Sequence, residues 1–254
     1  SEMVNSGIMY EIFGKYKAPL DEYDVPETLI FQAAEKTDTA IFVIGRNSGG
    51  EECDRHLPED YYLTRSEESL LKDICTHFAN VVIVLNVNGL IDLSWVKKYA
   101  SIKSLLFIGI PGEEGASALA GILTGEINPS GKLAVTIAEH YEDYPSADHF
   151  SWDKEHLENI LDYESYGLSS EENGSTGFTK SPVTVYWEDI YTGYRYFDTF
   201  GKQVLYPFGY GLSYTAFAIS DALVKKQNGG ILVTADVKNI GEMSGKEVIQ
   251  IYLS

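Results

Sequence analysis

Residues 64–87 read TRSEESLLKDICTHFANVVIVLNV, a stretch that holds a helix and the strand that follows it. Thr64 and Glu67 have the spacing of a capping box, in which each side chain satisfies a backbone N–H that the first helical turn leaves open. Leu70, Leu71, Ile74, Cys75 and Phe78 then recur at helical spacing and place one apolar face inward. Residues 81–87 are almost uniformly apolar and rich in β-branched side chains, which predicts a strand. A strand without polar alternation is buried on both faces, the condition of a parallel sheet covered by helices.

The same alternation extends in both directions. Upstream, Leu29, Ile30, Ala33 and Ala34 predict a helix over residues 26–36, and the apolar run 40–44 predicts a strand that stops at Gly45. Downstream, the pattern predicts a short helix over 93–99, a strand over 104–110, and a helix over 113–123. Ala116, Leu119, Ala120 and Leu123 share a face of that last helix, and Glu113 and Glu114 suit its positive N-terminal end. Asn128, Pro129, Ser130 and Gly131 break the pattern before a further expected strand at 133–137. The fold class expected is α/β, an incomplete, mostly parallel sheet flanked by helices (an α/β sandwich).

Beyond it the periodicity changes. Residues 141–180 are acidic and aromatic, with Gly, Ser and Asn frequent after Tyr166, and read as a long insertion or linker with one helix near 154–161. After Leu212 the period becomes two. Ile231, Val233, Ala235 and Val237 alternate with polar neighbours, Asn228-Gly229 is a hairpin-turn pair, and 248–253 reads as another strand. This is the pattern of a partial all-β immunoglobulin/fibronectin-like sandwich. Such a domain needs about 100 residues, so the chain is expected to stop inside it. The expected division is 1–140 for the α/β domain, 141–212 for the insertion and interdomain linker, and 213–254 for the start of the sandwich.

Composition narrows the function. Nineteen Lys and Arg against 38 Asp and Glu give a formal charge of -19, which repels phosphate backbones and anionic lipid surfaces, so neither nucleic acid nor membrane is an expected partner. The apolar runs are far shorter than the roughly 20 residues that span a bilayer. Residues 1–10 lack a cationic start and an apolar signal core. Localisation stays unknown, with the cytoplasm slightly favoured and secretion open. Cys53 and Cys75 make neither a disulfide framework nor a CxxC pair.

Parallel sheets bind ligands beyond the carboxyl ends of their strands, and the long segment 46–63 leaves such an end. Its first part, Arg46-Asn47-Ser48-Gly49-Gly50-Glu51-Glu52-Cys53-Asp54-Arg55, concentrates charge after tight-turn glycines. Gly45, Gly49 and Gly50 form neither GxGxxG nor GxxxxGK[ST], which argues against a nucleotide. Glu51, Glu52, Asp54 and His56 have no recognised metal-ligand spacing, so no metal and no cofactor is expected.

The chain resembles glycoside hydrolase family 3 nearly from end to end. Ile44-Gly45-Arg46 followed by Gly50-Glu51-Glu52-Cys53-Asp54-Arg55 is similar to the family's auxiliary-domain loop. NVNGLIDLSW at 86–95, GILTGEINPSGKLAVTIA at 121–138, EDIYTGYRYFDTF at 188–200, YPFGYGLSYTAF at 206–217 and GKEVIQIYLS at 245–254 resemble its later segments, in order. The resemblance implies hydrolysis of terminal non-reducing β-D-glucosyl residues with retention, by an Asp nucleophile in a TIM barrel and a Glu acid/base from this loop. Glu51 is the positional match, three residues before Asp54. Because residues 46–54 carry one residue more than close family patterns, Glu52 is the runner-up. Asp54, Arg55 and His56 are implied as substrate-binding or loop-positioning residues.

No nucleophile motif and no eightfold βα repeat occurs in the chain. The expectation is therefore an incomplete, inactive piece whose partners are a β-linked oligosaccharide or glycoside and the barrel portion of the same polypeptide, lying before or after this segment. The alternatives are a β-xylosidase or other exo-β-glycosidase, and a non-catalytic carbohydrate-binding or scaffolding module. Trp95 and the aromatics of 186–214 are expected mainly to pack rather than to contact sugar.

Overall fold

The computed structural model describes residues 23–46, 60–147 and 186–253. Its centre is a three-stranded parallel sheet in the order β1 (Thr39–Gly45), β2 (Asn80–Asn86), β3 (Ile102–Phe107). Registers such as Ile44 with Leu85 and Leu85 with Phe107 align the carboxyl ends of all three strands. Helix α1 (Glu27–Ala34) precedes β1, and α2 (Arg65–His77) crosses from β1 to β2. The capping box forms as the sequence predicts: Glu67 N–H donates to Thr64 Oγ1 at 3.2 Å, and Thr64 N–H donates to Glu67 Oε2 at 2.8 Å.

The helices cover one face of the sheet. Ile30, Leu71 and Phe78 pack with Phe42, Ile44, Ile83 and Leu85 in a single buried cluster. On the opposite face of β1, Ile41 and Val43 are half exposed, while Val84 of β2 is fully buried. Burial on both faces, expected of every strand, therefore holds for the central strand only. Among the described residues β1 is an edge strand with a single hydrogen-bonded neighbour.

Elements after β2 depart from expectation for local reasons. In place of a helix over 93–99 there is one 3₁₀ turn, Val96–Lys98. Asp92 organises the approach to it, since its carboxylate accepts from Ser94 N–H and Ser94 Oγ and its carbonyl accepts from Trp95 Nε1. These side-chain bonds compete with a helical start. Strand β3 begins two residues early and ends at Phe107, because Gly109 turns the chain at φ 61°.

Helix α3 (Gly115–Thr124) forms near its predicted place, but its buried positions are Gly115 and Gly121. Ala116, Ala120 and Leu123 are exposed. The helix is approached along its glycine edge by the returning chain: a Cβ on Gly121 would stand 2.6 Å from Ile127 Cδ1.

The strand expected at 133–137 shrinks to β4 (Ile137–Ala138), which lies outside the parallel sheet and pairs antiparallel with β5 (Val204–Tyr206). Leu133 instead exchanges backbone bonds with Tyr210 and Gly209, just past Pro207, which has no N–H to continue a ladder. A second 3₁₀ turn, Tyr141–Asp143, and helix α4 (Tyr194–Thr199) lie between these two strands in sequence.

The period-two region forms an antiparallel hairpin, β6 (Phe217–Gln227) with β7 (Gly230–Asn239). Asn228 and Gly229 take φ 50° and 79°, the left-handed pair a type I′ turn requires. Residues 248–253 form no ladder, because among the described residues no backbone pairs with them. The turn Asn128–Pro129–Ser130–Gly131 joins this region to the α/β unit. Asn128 Oδ1 accepts from Ser213 Oγ and Tyr214 N–H, both at 2.9 Å, and Asn128 Nδ2 donates to Ser244 O at 3.1 Å. Gly211 lies so close that a Cβ there would meet Gly131 O at 2.5 Å.

Candidate functional site

Arg46 is the first residue past the carboxyl end of β1, at the edge where a parallel sheet presents its binding side. Its side chain is 1% exposed, and that of its partner Glu67 is 4% exposed. A buried guanidinium needs acceptors for five N–H groups, and here all five find one. Nε donates to Asp60 O at 2.8 Å, Nη1 to Gly45 O at 2.8 Å and Nη2 to Tyr62 O at 3.2 Å. The other two bonds reach Glu67, from Nη1 to Oε1 at 2.6 Å and from Nη2 to Oε2 at 2.8 Å. This fork-to-fork geometry fixes orientation as well as distance. Glu67 Oε2 also receives Thr64 N–H, so one carboxylate both caps α2 and holds Arg46.

Arg46 therefore bonds the chain where it leaves β1 and again where it returns at Asp60 and Tyr62. Glu51, Glu52, Asp54, Arg55 and His56 lie in the intervening segment, outside the described residues, as does Cys53. The returning stem buries Tyr61 and Leu63. Tyr61 is 3% exposed, and its carbonyl accepts from Asp92 N–H at 2.9 Å. Its ring makes edge contacts with Tyr62 and Tyr141, and the contacts continue through Tyr144 to Phe197 of α4. Burial, reinforced by Tyr144 and Asp92, holds the Tyr61 phenol far above the ordinary tyrosine range. Burial followed by Glu142 and Asp92 raises Tyr62 in the same direction. Both phenols stay neutral at physiological pH.

Trp95 is buried, with Nε1 bonded to Asp92 O at 2.7 Å, so it packs instead of offering a sugar platform. Cys75 is a free thiol whose pKa is raised by burial, with the Ser101 hydrogen bond opposing. Among the described residues no cluster of three His, Cys, Asp or Glu side chains has metal-binding geometry, and no helix is long and apolar enough to cross a membrane.

The Arg46–Glu67 pair is the feature that sequence reasoning missed. Glu67 reads as a cap and Arg46 as a loop residue. A signal was present, because α2 begins at the sheet edge where β1 ends, which places its N3 carboxylate beside the first residue after the strand.

The profile of the glycosyl hydrolase family 3 C-terminal domain matches residues 24–214. A β-glucosidase from Ruminococcus albus is 39% identical over 92% of this chain, which corresponds to 22% of that protein. β-Glucosidase A from Butyrivibrio fibrisolvens is 35% identical over 92% of this chain and 30% of its own length. The crystallised β-glucosidase 3B from Thermotoga neapolitana, in complex with glycerol, superposes with a TM-score of 0.72 at 32% identity, covering 94% of this chain and 31% of that one. The chain thus spans less than a third of the length of each of these relatives, and it belongs to glycoside hydrolase family 3.

Proposed function

We propose that this chain is the part of a retaining exo-β-glucosidase that supplies the acid/base carboxylate, with Glu51 in that role. The reading is supported chiefly by where the segment 47–59 is rooted: the residues on both sides of it are held at the carboxyl edge of a parallel sheet, by a residue in the family's Ile-Gly-Arg position. A TIM barrel elsewhere in the same polypeptide supplies an Asp nucleophile. Residues 1–140 are the auxiliary domain, 141–212 an insertion and linker, and 213–254 the start of a fibronectin type III-like domain.

In the first step the barrel Asp attacks the anomeric carbon while Glu51, protonated, gives its proton to the glycosidic oxygen. The carbon–oxygen bond breaks, the aglycone leaves as a neutral alcohol, and the sugar remains as an ester of the Asp. Glu51, now a carboxylate, takes a proton from water as that water's oxygen attacks the same carbon. The Asp carboxylate is released, the sugar leaves in its original β configuration, and Glu51 is protonated again. Asp54, Arg55 and His56 contact the sugar or hold the loop. Two carboxylates are required and only one comes from this chain, so the chain by itself does not complete the cycle.

The test uses the barrel-containing protein. Glu51→Ala is expected to slow glycosides with poor leaving groups by roughly 10²-fold or more, and dinitrophenyl glycosides far less in the sugar-transfer step. Azide should then accelerate the activated substrates where deglycosylation limits the rate, giving a β-glycosyl azide. If Glu52→Ala alone behaves this way, the role moves one residue along. Should neither variant show it, the loop is not the source of the acid.

A further inference from the structure

We propose that Arg46 and Glu67 are positioning residues for the acid/base loop, so that their pairing sets the rate of leaving-group protonation and not merely the stability of the fold. This inference rests on the proposed role of Glu51. A helix cap alone explains only part of the arrangement, because Thr64 and Glu67 already satisfy each other's backbone donors. The rest of the guanidinium is aimed at the loop. Three of its five bonds go to main-chain carbonyls, Gly45 on the outgoing stem and Asp60 and Tyr62 on the returning one. One planar group therefore sets the separation and relative orientation of both stems.

The connection from β1 to α2 leaves at Arg46 and returns at Asp60 and Tyr62, and the ends of such a connection are the places where the scaffold can impose geometry. A general acid must come within about 2.6–3.2 Å of the oxygen it protonates. A displacement of about 1 Å at such a distance costs up to ~10²-fold in rate. Lysine cannot replace the arginine here, since an ammonium has three donors on a point charge and cannot span both stems and a carboxylate in one plane. The Tyr61 ring contacts also brace the returning stem, and Arg46 ties it to the outgoing stem at Gly45.

The experiment uses the barrel-containing protein with Glu67→Gln and Arg46→Lys. Gln at the third helical position keeps the capping box, so the first variant removes the charged fork while preserving the helix start. Each variant is assayed below its own unfolding temperature, with its folded fraction measured by circular dichroism. The expected result is a loss of ~10-fold or more in kcat/KM for alkyl glycosides, and a change within about 2-fold for dinitrophenyl glycosides. Thr64→Val is the control for helix destabilisation alone. It removes the cap hydroxyl, leaves every Arg46 bond in place, and should lower Tm without creating leaving-group dependence.

Equal losses on both substrates, no loss on either, or the same dependence in Thr64→Val would each overturn the proposal. Glu51→Ala and Glu52→Ala run in parallel separate two kinds of failure. If one of them shows leaving-group dependence and neither clamp variant does, only the positioning role falls. If none of the four shows it, the acid/base reading falls and takes this inference with it.

Discussion

Two polar junctions tie distant parts of this chain together, and they are built on opposite principles. At the loop base, Arg46 and Glu67 have side chains 1% and 4% exposed, with all five guanidinium donors used. At the turn around Asn128 the work is spread over many half-buried groups. Asn128 makes three bonds, Ser130 Oγ accepts from Lys246 N–H at 3.1 Å, and Lys132 Nζ donates to Gly211 O at 2.7 Å. Lys132 also pairs with Glu247 at 3.1 Å, with side chains 15% and 18% exposed. A sealed charge pair fixes one geometry, and losing either half strands the other without water. A distributed junction loses one bond at a time, and solvent replaces part of each loss.

The contrast is sharpest in Arg46→Met, which leaves the Glu67 carboxylate buried without its counter-ion. Breaking such a pair costs on the order of 3–5 kcal/mol. Urea unfolding of the chain followed by circular dichroism should show a loss of this size. A loss below about 1 kcal/mol would mean that water reaches the pair and that the two junctions are energetically alike. Adding Glu67→Met to the first change should recover part of the stability, since an apolar pair of similar volume avoids the stranded charge. Recovery would stay partial, because Thr64 N–H loses its acceptor as well.

Asn128→Ala tests the distributed junction. It removes three hydrogen bonds at a partly solvated position, so the expected loss is about 1–2 kcal/mol in the same assay, well under that for Arg46. Asn128→Asp should cost less than Ala, because the acceptor serving Ser213 and Tyr214 survives and only the donor to Ser244 O is lost. If the Asp variant is the worse of the two, repulsion between its carboxylate and the Ser244 carbonyl outweighs the retained bonds.

These two junctions also mark where the sequence is legible. Features fixed by near neighbours could be read directly. The apolar runs of β1 and β2, the Thr64–Glu67 capping box and the Asn228–Gly229 turn each depend on residues only a few positions apart. Features that depend on what a segment meets in space could not. Ala116, Ala120 and Leu123 have the spacing of a buried face, yet α3 is approached along Gly115 and Gly121. Residues 133–137 have the composition of a strand, but Leu133 bonds to Gly209 and Tyr210 and leaves only two residues for a ladder. The edge position of β1 among the described residues, with Ile41 and Val43 half exposed, likewise depends on strand order and not on the apolar run itself. At the candidate site, the strand end at Gly45–Arg46 follows from the pattern. The use of Arg46 to join both stems follows only from the topology that sets α2 beside the end of β1.

The smallest expected effect concerns pH. Glu247 is held below its ordinary carboxylate value, first by the hydrogen bond from Val248 N–H and then by the one from Lys132. A carboxyl whose folded pKa is depressed contributes stability that is fully present above the unfolded value, here about 4.5, and is lost as pH falls through the folded pKa. Glu247→Gln should therefore cost less than about 1 kcal/mol at pH 7, as expected for a partly exposed pair. The difference from the parent should shrink as pH drops below 4.5 and should also shrink with added salt. Arg46→Met is expected to show little salt dependence, because ions do not enter a junction whose side chains are 1% and 4% exposed. A Glu247→Gln difference that persists unchanged at low pH would assign the contribution to packing and hydrogen-bond shape, and charge would then play no part in the distributed junction.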